Sequence, residues 1–346
     1  MLKIPQKILV VRNDKLGDFM LAFPAFALLK KMLPDTEIHA LVPRYTSPLA
    51  EHSQYIDHCL IDPGAKEGTK GMRSLIAQMR QQHYDAVITL YSTTRIGVCV
   101  YLARIPYRLA PATKLAQLFY NQRLVQRRSR SEKPEYQYNI DLANHFIESL
   151  ALTPETVNGP YLQFDNQVVA ALRNEFKQQH AIDGDLPLVF VHPGSGGSAN
   201  NLSVQQYAQL IRALAAQRQF ATVISTGPGE NHIGAALSTA LTKTPHIHYH
   251  STQGLLRFAQ HINIANLFIS GSTGPLHIAG ALDIPTVGFY PKRRSATALR
   301  WQTLNTPPRR LAISPKDEAH AEDMTSINIE ETAENIANYY AALFKN

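Results

Sequence analysis

Short apolar runs alternate with longer amphipathic segments along this chain, and the alternation happens twice. Runs of Val, Ile and Leu predict strands at 7–11, 37–42, 58–61 and 86–90, then again at 188–191, 221–225, 267–270 and 286–289. Between them, FMLAFPAFALLKKML (19–33), VQQYAQLIRALAAQRQ (204–219) and LLRFAQHI (255–262) follow a helical period. Strands joined through crossover helices pair in parallel, so the pattern predicts an α/β protein. The pattern restarts after 153–187, where TPETVNG, a helix over 165–180 and AIDGDLP intervene. Two doubly wound domains are expected, 1–165 and 185–325, followed by a terminal helix within 326–346. The basic, aromatic stretch 104–135 breaks the rhythm and is expected to be an insertion or loops.

A length of 346 residues suits two such cores. No apolar run approaches the roughly 18–20 residues needed to span a bilayer. MLKIPQKILVVRND reads as a first strand and not as a signal peptide. Cys59 and Cys99 lie in apolar surroundings, which predicts buried thiols in a reducing compartment, the cytoplasm by default. The net charge of +7 favours an anionic partner, or is a surplus of solvated Lys and Arg. Neither an RNA-binding motif nor a helix-turn-helix signal accompanies it, so nucleic acid is not expected. GxGxxG does not follow the first strand and GxxxxGK[ST] is missing, which argues against dinucleotide and P-loop chemistry.

Open α/β sheets bind ligands beyond the carboxyl ends of their strands, so four strand ends matter. In VVRNDKLGDF, Asp18 opens an apolar helix after Gly17, either as its N-cap or as a carboxylate able to take a proton from a hydroxyl. In FVHPGSGGSANNLS, the Gly/Ser run after His192 offers backbone N–H groups ahead of a helix capped by Ser203, an arrangement that favours phosphate. In VISTGPGE, Thr226 and Gly227 lead to Glu230, a first-turn acid or part of a pocket for a base or ribose. In LFISGSTGPLHIAGAL, Ser272, Thr273 and Gly274 precede Pro275, a residue suited to a first helical turn, with His277 inside that turn.

Taken together these stretches resemble glycosyltransferase family 9, the heptosyltransferases of lipopolysaccharide core assembly. The resemblance rests on Lys15-Leu16-Gly17-Asp18 with Phe23-Pro24-Ala25 and on His192-Pro193-Gly194-Ser195-Gly196. It rests also on Ser272-Thr273-Gly274 with His277 and Ala279-x-Ala281-Leu282, continuing to Phe289-Tyr290-Pro291. The resemblance implies two Rossmann-like domains facing a cleft, the GT-B type, in a metal-independent inverting glycosyltransferase. Asp18 would be its general base. The donor, ADP-heptose or another nucleotide sugar, would meet His192, Gly194, Ser195, Gly196, Thr226, Gly227, Glu230, Ser272, Thr273, Gly274 and His277. Its diphosphate would lie against the 194–198 loop and the Thr273-Gly274-His277 turn, with no resident cofactor or metal. The acceptor, a lipid-linked anionic glycan, would meet Lys15, Gly17, Arg104 and Arg108. The terminal helix would pack back on the first domain.

Segment 123–133, with Arg104 and Arg108, would dock on the inner membrane's inner face with Tyr107, Phe119 and Tyr120 at the interface, or is a solvated loop. Two positions depart from the family pattern. Ser272 stands where an Asp is usual, and Asn200 and Leu202 stand where Lys and Trp are usual, leaving Arg293 or Arg294 to supply a cation. These changes put the donor preference at this loop. They also keep open a non-catalytic glycan- or nucleotide-binding protein on the same fold.

Overall fold

A computed structural model describes residues 3–113, 115–197, 200–316 and 321–344. The chain divides into two compact units, Met1–Tyr161 and Leu162–Asn346. The first holds β1 (Lys7–Val11), β2 (Glu37–Pro43), β3 (His58–Asp62), β4 (Ala86–Thr89), β5 (Tyr107–Pro111) and β6 (Gln122–Leu124). They pair in parallel in the order β3-β2-β1-β4-β5-β6. Ile8, Leu9, Val10 and Val11 are wholly buried, as expected of a strand covered by helices on both faces.

The second unit holds β7 (Leu188–His192), β8 (Ala221–Thr226), β9 (Ile247–His250), β10 (Leu267–Gly271), β11 (Thr286–Phe289) and β12 (Arg310–Ile313). All neighbours are again parallel, in the order β9-β8-β7-β10-β11-β12. Each unit therefore repeats one topology, with its first strand between its second and its fourth. The winding direction reverses at β1/β4 and at β7/β10, and the carboxyl ends of strands at such reversals are where open α/β sheets take their ligands.

Eight strands fall within a residue of the expected positions. The other four, β5, β6, β9 and β12, went unpredicted. Three of these, β6, β9 and β12, are sheet-edge strands of three or four residues, and none of the three has a buried residue. Such strands show no apolar run. The stretch 104–135 is accordingly not an insertion, because β5 and β6 extend the sheet through it. Its Tyr107 and Tyr120 are 5% and 4% exposed and serve the core, not a membrane interface. Cys99 is buried, whereas Cys59 is only half-buried.

The terminal helix, Ile329–Tyr339, joins the second unit's core and not the first domain as expected. Its apolar stripe (Ile329, Ala333, Ile336, Ala337) packs among Leu210, Ile211 and Leu214 of the helix Val204–Ala215. The amphipathic spacing shows that a stripe must be covered, but not by what.

Candidate functional site

In the first unit the chain leaves β1 at Arg12, and a five-residue helix, Leu16–Met20, follows. Lys15 occupies the N-cap, so Asp18 is inside the first turn and does not cap it. Its carboxylate accepts from Arg12 Nη2 at 2.5 Å. Arg12 is 1% exposed, and each of its nitrogens is held. Nε donates to Asp14 at 2.9 Å, and Nη1 donates to Glu135 at 3.2 Å and to Asn139 Oδ1 at 2.9 Å. Glu135 and Asn139 lie one turn apart on one face of the helix Glu135–Ser149. Asn139 also donates to the carbonyl of Leu21 at 2.9 Å, fixing the joint after the short helix.

Burial opposes the charge on Arg12, but the carboxylates of Asp14, Asp18 and Glu135 more than offset it and hold the guanidinium protonated. Burial pushes the Asp18 carboxyl up, against the pull of Arg12 and with help from Asp14 and Glu135, to about 6. Near neutral pH it is a carboxylate that can take a proton.

At the same sheet edge Asp62 accepts from Asn13, from Arg95 and from the Gly64 amide. Lys15 is exposed and Gly17 half-buried beside Asp18. Arg104 and Arg108 are elsewhere. Arg104 precedes β5 and Arg108 pairs with Val87 near the start of β4, so both lie at the amino edge of the sheet, opposite Asp18. The Arg108 guanidinium donates to the carbonyls of Phe119 (2.9 Å) and Ile105 (2.5 Å), which makes it a strut of its own segment. The expectation that these arginines share an acceptor site with Asp18 is corrected accordingly.

In the second unit β7 ends at His192 and β10 at Gly271, with Ser270 level with His192 in the ladder. Glu230, beyond the end of β8, reaches back to the loop after β7. Its oxygens accept from the amides of Gly196 (3.1 Å) and Gly227 (3.0 Å), and Oε2 lies 3.4 Å from His192 Nε2. Burial raises this carboxyl, but His192 and the two amides outweigh that and hold it at about 2. Gly194 permits the approach, since a Cβ there would come within 2.3 Å of the carboxylate. The Gly196 amide, read from sequence as a phosphate donor, is thus taken by an internal anion. Ser198, the last residue of that expected loop, lies outside the described residues.

His192 is 2% exposed and also contacts Ser225 Oγ at 3.3 Å, so it orients Glu230 from beneath. Thr226 is wholly buried, its hydroxyl shared by His248 (3.1 Å) and His250 (3.0 Å), so its side chain does not face a ligand. Thr273 holds the N-cap of the helix Gly274–Ala281, its hydroxyl bonded to Ser270 at 3.0 Å. Ser272 beside it is half-buried. His277 is 2% exposed, and burial lowers its proton affinity to about 4, which leaves a neutral ring whose Nδ1 meets no hydrogen-bond partner among the described residues. Ser195 and Asn200 line a cavity of about 560 Å³ together with Asn201, Leu202 and Ile233. Arg293 is on the surface, 3.9 Å from Glu322.

Asn201 was not anticipated. It donates to the carbonyl of Pro193 (2.9 Å) and accepts from the Tyr207 hydroxyl (2.6 Å), and it packs where a Cβ on Gly271 would stand. It bolts the loop after β7 to the end of β10. Glu135 and Asn139 were missed as well, although polar residues one turn apart on an otherwise apolar helix face were a usable signal.

The depressed Glu230 carboxyl carries a pH signature. Its affinity lies below the ordinary 4.5, so its stabilisation is complete above about 4.5 and is lost as pH falls toward about 2. Glu230→Gln should cost about 2 kcal/mol at pH 7 and much less at pH 3. Urea unfolding at the two pH values measures this, and an equal loss at both would contradict the internal-anion role.

Comparison with known proteins agrees with this architecture. Residues 72–324 match the family described as glycosyltransferase family 9 (heptosyltransferase). A putative glycosyltransferase of Haemophilus influenzae is 43% identical over 310 residues, spanning 90% of this chain and 89% of that one. Lipooligosaccharide heptosyltransferase 2 of the same organism is 22% identical over 82% of each chain. Among solved structures, the Escherichia coli ADP-heptose lps heptosyltransferase II aligns with a TM-score of 0.78 at 18% identity, covering 98% of both chains. That last likeness speaks for the fold, which is of the GT-B type.

Fold and family match together define a glycosyltransferase. The chain belongs to glycosyltransferase family 9, the family of the heptosyltransferases.

Proposed function

We propose that the chain transfers a sugar from a nucleotide-sugar donor to a lipopolysaccharide core or related surface-glycan acceptor, with inversion and without a metal. The observation that carries this reading is Asp18, a half-buried carboxylate held by Arg12 just beyond β1, at the β1/β4 switch point. Asp18 takes the proton of the acceptor hydroxyl as that oxygen attacks the anomeric carbon, and the bond to the nucleoside diphosphate breaks. Lys15 and Gly17 border the acceptor. On the donor side the first amides of the helix Gly274–Ala281 and His277 meet the leaving diphosphate, supported by the dipole of that helix.

Glu230 suits a ribose hydroxyl, because a carboxylate accepts from a hydroxyl and repels phosphate. The cavity beside Ser195 and Asn200 is of a size suited to part of a nucleotide sugar. Ser272 and Asn200 set the donor preference.

Among the described residues no helix is long and apolar enough to cross a membrane. We place the chain in the cytoplasm, against the inner membrane through segment 123–133. There Val125 is 71% exposed beside Arg123 and Arg127, with Leu115 and Leu118 (72% and 71%) on a nearby turn.

A thermal-shift panel of nucleotides and nucleotide sugars tests the reading. A ligand at 100 times its Kd stabilises by about 2.7 kcal/mol, which for units of this size is roughly 5–10 °C. ADP or ADP-heptose is expected to give that shift. A shift with UDP or GDP compounds alone would reassign the donor, and no shift with any would sink the proposal. Binding without transfer to any acceptor would favour the non-catalytic reading that the Ser272 and Asn200 departures motivate.

A further inference from the structure

We infer that Glu135 and Arg128, which stand on the far side of Arg12 from Asp18, are positioning residues that set through Arg12 how firmly Asp18 keeps its proton. The inference deepens the reading of Asp18 as base and rests on it for its catalytic consequence.

The geometry is a relay of charges around one guanidinium. Arg12 faces Asp18 with Nη2 and Glu135 with Nη1. The same oxygen of Glu135, Oε1, also accepts from Arg128 Nη1 at 2.8 Å. Glu135 is 2% and Arg12 1% exposed, so bulk water screens their pair little. Two guanidinium groups and three carboxylates thus share one cluster, buried at Arg12 and Glu135 and half-buried at Asp14, Asp18 and Arg128. Asp18 must divide Arg12 with Asp14 and Glu135, and Glu135 is itself divided between Arg12 and Arg128.

Among the described residues other groups face this cluster too, and Arg128 also donates to Gln126 Oε1 at 2.8 Å and lies 5.6 Å from the centre of the Tyr138 ring. Lys15, on the helix of Asp18, is exposed. Tyr45, from the turn after β2, donates to the Asp14 carbonyl at 3.2 Å, and the Tyr91 ring, from beyond β4, lies 5.9 Å from the Arg12 guanidinium. From the helix Glu135–Ser149, Asn139 is neutral. Besides Asp14 and Asp18, the carboxylate that meets Arg12 among the described residues is Glu135, and Arg128 reaches Arg12 through it.

The two residues should act with opposite signs. Neutralising Glu135 removes a like charge and leaves more of Arg12 to Asp18, so Asp18 releases its proton at lower pH. Neutralising Arg128 leaves Glu135 wholly to Arg12 and removes a favourable charge, so Asp18 holds its proton to higher pH.

The test is the titration of the Asp18 carboxyl, followed by carbon-13 NMR of aspartate-labelled protein and assigned by its loss in Asp18→Asn. From a midpoint of about 6, Glu135→Gln should move it down by about one pH unit and Arg128→Gln up by roughly half a unit. Midpoints that stay put, or that both move the same way as general loosening would cause, overturn the inference. Arg128 is 13% exposed and lies in a short turn, so its variant carries the test if Glu135→Gln does not fold. The acid limb of kcat/KM is measured beside it. Should the NMR midpoints separate while that limb stays fixed, the coupling stands and Asp18 is not the base.

Discussion

Asp18→Asn is expected to lower kcat for sugar transfer by roughly 10²- to 10⁴-fold, the usual loss when a general base is removed. Nucleotide binding should be unchanged, because the donor groups belong to the second unit. In the wild type, kcat/KM should fall as pH drops below about 6, where the Asp18 carboxyl takes up its proton. Stability supplies a second, independent sign. The folded affinity lies above the ordinary 3.8, so the associated stability is present below that value and is lost as pH rises through about 6. At pH 7 the ionised Asp18 is therefore a liability of about 2–3 kcal/mol, and Asp18→Asn should unfold at the same temperature as wild type or higher. Steady-state kinetics with scanning calorimetry at pH 5 and pH 8 checks both. Undiminished transfer in the variant would remove Asp18 from the reaction.

Arg12→Ala should be the most damaging single change in the first unit. It leaves Asp14 and Asp18 without their guanidinium and takes one of the two arginines from Glu135, and losing one partner of a buried ion cluster costs about 3–5 kcal/mol. For a unit of this size that lowers the melting temperature by roughly 6–20 °C. The loss should depend on pH. Without the guanidinium the three carboxylates take up protons more readily, so the penalty shrinks as pH falls from 8 to 5. A loss below about 1 kcal/mol, or one independent of pH, would show that the cluster does not depend on Arg12.

How much of this was legible beforehand depends on the kind of signal. The core positions of β1 and β7 announced themselves as apolar runs, and the repeated alternation told of two parallel sheets. Asp18, Thr273 and Glu230 could be found because they follow such strands directly. Partners from distant segments could not. Glu135 meets Arg12 across 123 residues, and Asn139 reaches the carbonyl of Leu21 across 118. The misplacement of Arg104 and Arg108 has the same origin. Their charge was visible, but not the strand β5 that carries them to the opposite edge of the sheet. The terminal helix shows the reverse case, a clear apolar stripe whose covering surface only the fold could supply.

The carboxylate of Glu230, seated on the amides of Gly196 and Gly227, has one more consequence. Backbone amides at a strand end ordinarily draw any small anion. Here those donors are satisfied before a ligand arrives, so inorganic phosphate, sulfate and simple phosphate esters find the place taken. What remains on offer is an acceptor for hydroxyls. On the reading proposed above, a loop that furnishes its own counter-ion selects its visitor by sugar hydroxyls and repels one that brings only negative charge.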